Sequence, residues 1–441
     1  MMGLLASHGH QLTPTPDEAE VLVVNTCSFI GQAQQESVDA ILEMARHKKT
    51  GGARRLVVAG CLVERFRREI LAQIPEVDAV LGTNQVEDIL AACEGQSVAS
   101  SPEEPYLYHE LTPRLLATPR HYAYLKIAEG CDHRCSFCII PQFRGRFRSR
   151  RPDSVVAEAG ALFARGVREI NLIGQDTTSY GEDLGLPDGL AGLLGRLARL
   201  ETGDQKWIRF LYAYPNRITG RLLDTLAAEP SLVKYLDMPL QHSSAGVLKR
   251  MKRGGSGEVF LRLVERIRRA VPGVALRTSL IVGFPGESES DFKDLCQFVE
   301  AARFDHLGVF AYSDEETSRS YHLERKVDRR TIYNRRRRIM AIQRSISRAA
   351  NRARRGEAIP VLVEGPSHET DLLWQARSQG QAPEIDGVCL VNDCQGRPPL
   401  PGEIRPFRVT GSHDYDLIGT ILEGEGPAGP EPFRILPDAR S

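Results

Sequence analysis

The sequence predicts an α/β protein in three parts: an N-terminal doubly wound parallel α/β domain, a (βα)6 partial TIM-like barrel and a small C-terminal β-barrel. Three observations predict it. Strand-like apolar runs alternate with helical stretches, first on a short scale and then on a longer one. The 441 residues exceed what one core supports, so two to four domains are expected. Past residue 357 the helical pattern gives way to short β-like runs broken by Gly and Pro.

Taken in order, residues 21–25 (VLVVN) form a buried-strand run. Residues 32–49 follow as a helix, with Val38, Ile41, Leu42 and Ala45 near helical spacing. Residues 56–59 and 77–81 read as further strands, and 64–73 and 86–93 as helices. A stretch rich in Ser, Pro and Glu, 97–119, closes a first domain over 1–119. Over 120–325 the expected strands are 124–128, 169–173, 208–212, 235–238, 276–282 and 307–311, separated by helices such as 154–165 and 257–270. In such barrels the C-terminal strand ends form the active-site mouth. Gln175 and Asp176, Tyr214, Gln241 and His242, and Ser313 stand at those ends. Residues 326–356 form a basic helical linker; 328–355 has 11 arginines and one acid, net +10. Residues 357–422 form the small barrel, with strands at 360–363, 387–391 and 404–409, and 423–441 a flexible tail.

Composition is that of a globular protein, 41% hydrophobic and 26% charged, and no apolar run reaches the roughly 18 residues of a membrane span. No secretory signal is read at the start, so a cytoplasmic location is expected. The nine cysteines are an odd number with one tight cluster, which argues against a disulfide framework and for metal or redox use.

That cluster is Cys131-Asp-His-Arg-Cys135-Ser-Phe-Cys138, just after the strand at 124–128 and the turn residue Gly130. Three thiolates within eight residues can wrap one iron–sulfur cluster on a single loop. A structural zinc would instead need a fourth ligand, for which His133 is the local candidate. The C-x-x-x-C-x-x-C spacing after a first barrel strand resembles the signature of radical S-adenosylmethionine (SAM) enzymes. The resemblance implies a 4Fe-4S cluster held by Cys131, Cys135 and Cys138. Its open iron would chelate SAM, and reductive cleavage would yield a 5′-deoxyadenosyl radical. It also implies that Phe137 packs beside the adenine. Gly283, Gly286 and Glu287 of Ile281-Val-Gly-Phe-Pro-Gly-Glu287 would form a SAM-binding strand end, where glycine lets the backbone approach closely. Arg277 reads equally as a partner of the SAM carboxylate and as a structural arginine. Gln175 is expected on the cofactor side of the mouth, and Asp176, Gln241 and His242 on the substrate side; each also reads as a structural hydrogen-bonding residue.

Cys27 follows Asn25-Thr26 at one strand end, and Cys61 follows Ala59-Gly60 at the next. Parallel strands set such residues side by side. Each alone also reads as a packed core cysteine. Together with the barrel they resemble the methylthiotransferases, whose N-terminal domain binds a second 4Fe-4S cluster through three cysteines. Asn-Thr-Cys27 and Gly-Cys61 match the second and third of these. The family's first cysteine lies in an earlier Ser-Leu-Gly-Cys-Pro type segment, whereas this sequence opens at Met1-Met2-Gly-Leu-Leu, as in the family's first helix. A start assigned too late and a true truncation are the two readings. With two ligands, the second cluster is expected to be weak or missing. Cys93 is a conceivable third ligand, but late in a helix it reads more readily as a packed residue.

Two branches of the family are open. One modifies an adenosine of tRNA; the other adds a methylthio group to the β-carbon of an aspartate in small-subunit ribosomal protein twelve. Gly174-Gln-Asp-Thr-Thr-Ser-Tyr-Gly181, Met238-Pro-Leu-Gln-His-Ser-Ser244, Ala382-Pro-Glu-Ile-Asp-Gly387 and Tyr415-Asp-Leu-Ile-Gly419 resemble the ribosomal-protein branch. Charge agrees. The C-terminal barrel resembles a TRAM domain, yet 357–421 has four basic and 10 acidic residues, net −6, which suits a basic protein better than RNA. The basic helix weighs the other way: it reads either as a contact to ribosomal RNA or as a solvated face. The implied partners are that ribosomal protein, within the ribosome or free, and an electron donor; no membrane is implied. A partial protein that binds SAM but inserts no sulfur is the remaining reading.

Overall fold

The computed structural model describes residues 1–98, 106–367, 370 and 372–423. Part of the expected 97–119 linker and most of the 423–441 tail lie outside the described residues. The chain divides into two compact units, Met1–Ser347 and Arg348–Ser441.

The first unit opens with a parallel sheet of β1 (Val21–Thr26), β2 (Arg55–Gly60) and β3 (Ala79–Leu81), in that order. Central β2 is apolar on both faces because both are covered. Leu56 and Val58 pack with Ile41 of helix Gly31–Thr50 and Ile70 of helix Cys61–Gln73. Val57 and Ala59 pack on the other face with Leu5 of helix Met2–Ser7 and with Ile89, Ala92 and Cys93 of helix Ile89–Glu94. Edge strand β1 alternates instead: Leu22 and Val24 are buried, Val23 and Asn25 exposed. Cys93 is therefore a packed core residue, as its helix position led one to expect.

The second part of this unit carries six parallel strands. They are β4 (Tyr122–Lys126), β7 (Glu169–Ile173), β8 (Trp207–Phe210), β9 (Tyr235–Asp237), β10 (Ala275–Val282) and β11 (His306–Ala311). Between β4 and β7 lies a short antiparallel ribbon, β5 (Ala128–Glu129) with β6 (Arg148–Ser149). The strands pair as β4-β7-β8 and β9-β10-β11. Backbone bonds from Val233 to Ile208 (3.1 Å) and from Ala213 to Asp237 (2.9 Å) join the two halves. Among the described residues no ladder closes β11 onto β4, so the barrel is partial, as the six units predicted. Buried charges line its strands in pairs. Arg209 Nε donates to Glu169 at 2.9 Å with both side chains fully enclosed, and Arg277 Nη1 donates to Asp237 at 3.0 Å. Unpaired, each would be costly at this depth.

The second unit holds a closed five-stranded barrel in the order β12 (Ala358–Pro366), β13 (Trp374–Ser378), β14 (Cys389–Cys394), β16 (Leu417–Ile421) and β15 (Ile404–Ser412). Val361, Val363, Ala376, Val391, Phe407, Val409, Leu417 and Ile421 fill it. Three strands were expected here; β13 and β16 complete the closure.

Candidate functional site

The β5–β6 ribbon pairs Ala128 with Ser149 and Glu129 with Arg148, and so ties off residues 130–147 as a stemmed loop at the C-terminal end of β4. Gly130 starts it at φ +82; a Cβ there would lie 2.1 Å from the Arg146 carbonyl oxygen. The three cysteines follow, each partly exposed. Ser136 anchors the loop to the barrel, donating from N to Met251 O (2.9 Å) and from Oγ to Arg250 O (2.8 Å). Burial pushes the Cys131 thiol up to about 11 and Cys138 up to about 12. Among the described residues no three His, Cys, Asp or Glu side chains converge on a single ion. Cluster ligands need no such convergence, because each holds a different iron.

One side of the loop rests on a stack. His133 lies parallel to Tyr214, ring centroids 3.9 Å apart and planes 11° apart. His133 Nε2 is 2.6 Å from Asp176 Oδ2. Asp176 also accepts from Thr178 N (2.9 Å), Thr178 Oγ1 (2.5 Å) and Ser179 Oγ (2.6 Å). Burial alone would raise its pKa; the bonds from His133, Ser179 and Thr178 outweigh that and lower it. Arg253 covers the far side of Tyr214, its Cζ 4.5 Å from the ring centroid and its Nη1 3.7 Å from Cys135 Sγ.

The N-terminal sheet presents its strand ends to the same region. Thr26 pairs with Gly60 across the ladder, so Cys27 and Cys61 leave adjacent strands at one level. Gly60, like Gly130, has positive φ (+107), and a Cβ there would lie 2.5 Å from Thr26 O. The Cys61 sulfur accepts from Arg144 Nη2 at 3.2 Å, and Arg144 ends the short helix Ile140–Arg144 just beyond Cys138. Glu315, past β11, binds Arg65 (2.9 Å) and Gln34 (2.8 Å) from the N-terminal domain. A cavity of about 1320 Å³ opens beside Val23 and Asn25 of β1 and Tyr124 and Lys126 of β4.

Residues 1–82 match the uncharacterized protein family UPF0004, 125–299 the radical SAM superfamily and 356–422 the TRAM domain. The chain is 65% identical to a ribosomal protein uS12 methylthiotransferase RimO of Solibacter usitatus (strain Ellin6076), over 99% of this chain and 93% of the relative. The chain belongs to the RimO-type radical SAM methylthiotransferases. Members from Koribacter versatilis (strain Ellin345) and Myxococcus xanthus (strain DK1622) are 53% and 48% identical, over 96% and 97% of this chain and 93% and 89% of theirs. A solved radical SAM methyltransferase, TsrM from Kitasatospora setae, shares the fold with a TM-score of 0.51 at 18% identity, over 69% of this chain and 64% of that one.

Other residues expected at the mouth of this methylthiotransferase divide into two groups. Near the loop, Phe137 packs partly buried against the barrel core; among the described residues Gln175 Oε1 has no hydrogen-bond partner, and neither do the two side-chain polar atoms of buried Asn171 in β7, a residue that no sequence pattern singled out. Gln241 adopts φ +71, unusual outside glycine, while its backbone bonds Ser279 and Ile281. Tyr212, at φ +62 and exposed, is a second strained strand-end residue that no sequence pattern announced. These unpartnered polar atoms and three thiols fit a cluster with a polar cofactor beside it.

The second group is enclosed. Glu287 was expected at the cofactor, but it closes its own turn, Oε2 accepting from Gly283 N (2.6 Å) and Oε1 from Arg335 Nη1 (2.8 Å). A Cβ on Gly283 would meet Ile332 Cγ1 at 2.2 Å, and one on Gly286 would meet Arg250 Nε at 3.2 Å, so protein side chains make the close approaches there. His242 does not line the open mouth: it is fully buried, its Nδ1 accepting from Ser244 N at 2.9 Å, and burial lowers its pKa to about 4. Arg277 bonds Asp237, as its structural reading expects.

Proposed function

We propose that this chain adds a methylthio group to the β-carbon of an aspartate in small-subunit ribosomal protein twelve, using SAM and 4Fe-4S chemistry. The observation that carries the reading is one site built from two parts: the stemmed Cys131/Cys135/Cys138 loop, and Cys27 with Cys61 on adjacent strand ends, joined through Arg144. The relatives' names supply the substrate.

A cluster on the three loop thiols would supply the electron that cleaves SAM and so the radical an unactivated carbon requires. The chain's own part is positional. Ser136 fixes the loop to the barrel, while His133 and Asp176 brace it from the side. Phe137, Gln175 and Asn171 would hold SAM beside it, and Gln241 and Tyr212 would border the substrate. Cys27 and Cys61 would supply two of the second cluster's ligands from the adjoining strand ends. The net −6 charge of residues 357–421 supports a basic protein substrate.

The ribosome is the setting we favour. Helix Arg329–Ala353 has nine arginines and no acid, and Arg330, Tyr333, Arg337 and Arg344 share one exposed stripe, suited to ribosomal RNA phosphates. The intact mass of ribosomal protein twelve decides the substrate, taken from cells lacking their own enzyme but expressing this chain. A methylthio gain on one aspartate is expected. An unmodified protein alongside modified tRNA would overturn the reading.

A further inference from the structure

Arg253 stands 118 residues from Cys135 in sequence, yet its Nη1 lies 3.7 Å from the Cys135 sulfur. Two contacts fix it there, and one of them is braced from behind. Nη2 donates to Pro239 O at 2.8 Å, the guanidinium lies over Tyr214 at 4.5 Å, and Tyr214 is itself backed by the His133–Asp176 pair. Lys252 takes φ +58 to deliver it, a conformation disfavoured for a side chain of that size. Among the described residues no carboxylate forms a salt bridge with Arg253. A cation is thus held against one loop cysteine with its charge uncompensated and its plane fixed by a ring.

We infer that Arg253 is a positioning residue that raises the reduction potential of the cluster held by Cys131, Cys135 and Cys138. Adding an electron makes a cluster more negative. A fixed positive charge and an N–H···S contact stabilise that reduced form over the oxidised one. The flat guanidinium suits the place: it stacks on Tyr214 while one nitrogen reaches sulfur and another reaches Pro239, which a lysine cannot reproduce. Tyr214 acts through Arg253, holding the plane at the angle that points Nη1 to sulfur. The inference concerns the cluster alone, so it stands or falls independently of which macromolecule receives the methylthio group.

The test is an EPR-monitored redox titration of the anaerobically reconstituted full chain with dithionite, with iron and sulfide counted in each sample. Arg253→Gln should load the loop cluster and titrate at a lower midpoint than the parent. Arg253→Lys should fall between the two, and Tyr214→Leu should shift the same way by less. SAM cleavage at a fixed dithionite concentration should slow in the same order and recover with a stronger reductant such as titanium(III) citrate. A merely structural role would lower cluster content without moving the midpoint of what remains. A fully loaded Arg253→Gln with the parent's midpoint overturns the inference. If Arg253→Gln fails to load, unchanged midpoints in both Arg253→Lys and Tyr214→Leu overturn it instead.

Discussion

Arg144 donates from Nη2 to the Cys61 sulfur across 3.2 Å, linking the helix that follows Cys138 to the strand end of the N-terminal sheet. The same guanidinium lies 3.5 Å from Glu129, which also pairs with Lys126. Burial opposes Arg144's charge, but Glu129 and Cys61 more than offset it and raise its pKa. One side chain therefore registers the two cysteine sites against each other.

Arg144→Gln keeps a donor but loses the charge and the reach. Outer contacts of this kind are worth about 10- to 100-fold in activity when removed. Methylthio transfer should fall by about that factor while 5′-deoxyadenosine formation persists, since the loop keeps its anchors at Ser136. Both products are measured in one assay by mass spectrometry. Equal loss of both would refute a linking role.

Gly130 and Gly60 precede Cys131 and Cys61, and each sits at positive φ with backbone oxygen where a Cβ would go. Gly130→Ala adds about 1–2 kcal/mol of left-handed strain and a collision that only movement of residues 145–146 relieves. The expected outcome is a folded protein that holds less iron on the loop. Gly60→Ala should affect iron bound through Cys61 and spare loop-bound iron. Iron counts and EPR of both variants check this; normal loading in both contradicts it.

The metal-free protein should lose stability as pH rises. Cys131 and Cys138 have folded values of about 11 and 12 against an ordinary 9.0, because burial disfavours the thiolate. The folded state then binds these protons more tightly than the unfolded chain does. Their contribution is fully present below about pH 9 and lost as pH climbs through the folded values. The Tm of metal-free protein should fall between pH 8 and pH 10.5, and less so in Cys131→Ser/Cys138→Ser. Iron uptake must expel the same protons, so loading should be faster at pH 8.5 than at pH 6.5.

Local pattern made some features legible and hid others. The cysteine spacing and the matched strand ends of Cys27 and Cys61 are sequence-local, and the structure keeps them where strand periodicity put them. All six barrel strands were equally readable, because each is an apolar run between helices. The strand Trp374–Ser378 went unread because only Trp374 and Ala376 make up its apolar side, and its Arg377 is buried only by virtue of Glu364, 2.6 Å away. Arg253, Tyr214 and Arg144 were missed as cysteine neighbours because long-range packing brings them there. The Gly283–Glu287 turn shows the reverse: its residues were noticed, but only tertiary contacts reveal that Glu287 answers to Arg335.

That pair yields the last expectation. Glu287 is fully enclosed and Arg335 nearly so, at 2.8 Å, and Glu287 also holds the Gly283 and Phe284 amides. His242 Nε2 lies 3.9 Å from the same carboxylate. Arg335→Met strands a buried carboxylate and should cost about 3–5 kcal/mol. Glu287→Gln/Arg335→Met removes both charges and should be markedly milder than either single change. The lowered pKa of His242, about 4, adds a pH signature. Its neutral form stabilises the fold above the ordinary value of 6.5, and that contribution is lost as pH falls toward 4. His242→Gln should therefore flatten the acid limb of stability between pH 6.5 and pH 4, read by urea unfolding at fixed pH. If Arg335→Met is as stable as the parent, the pair does not hold the turn.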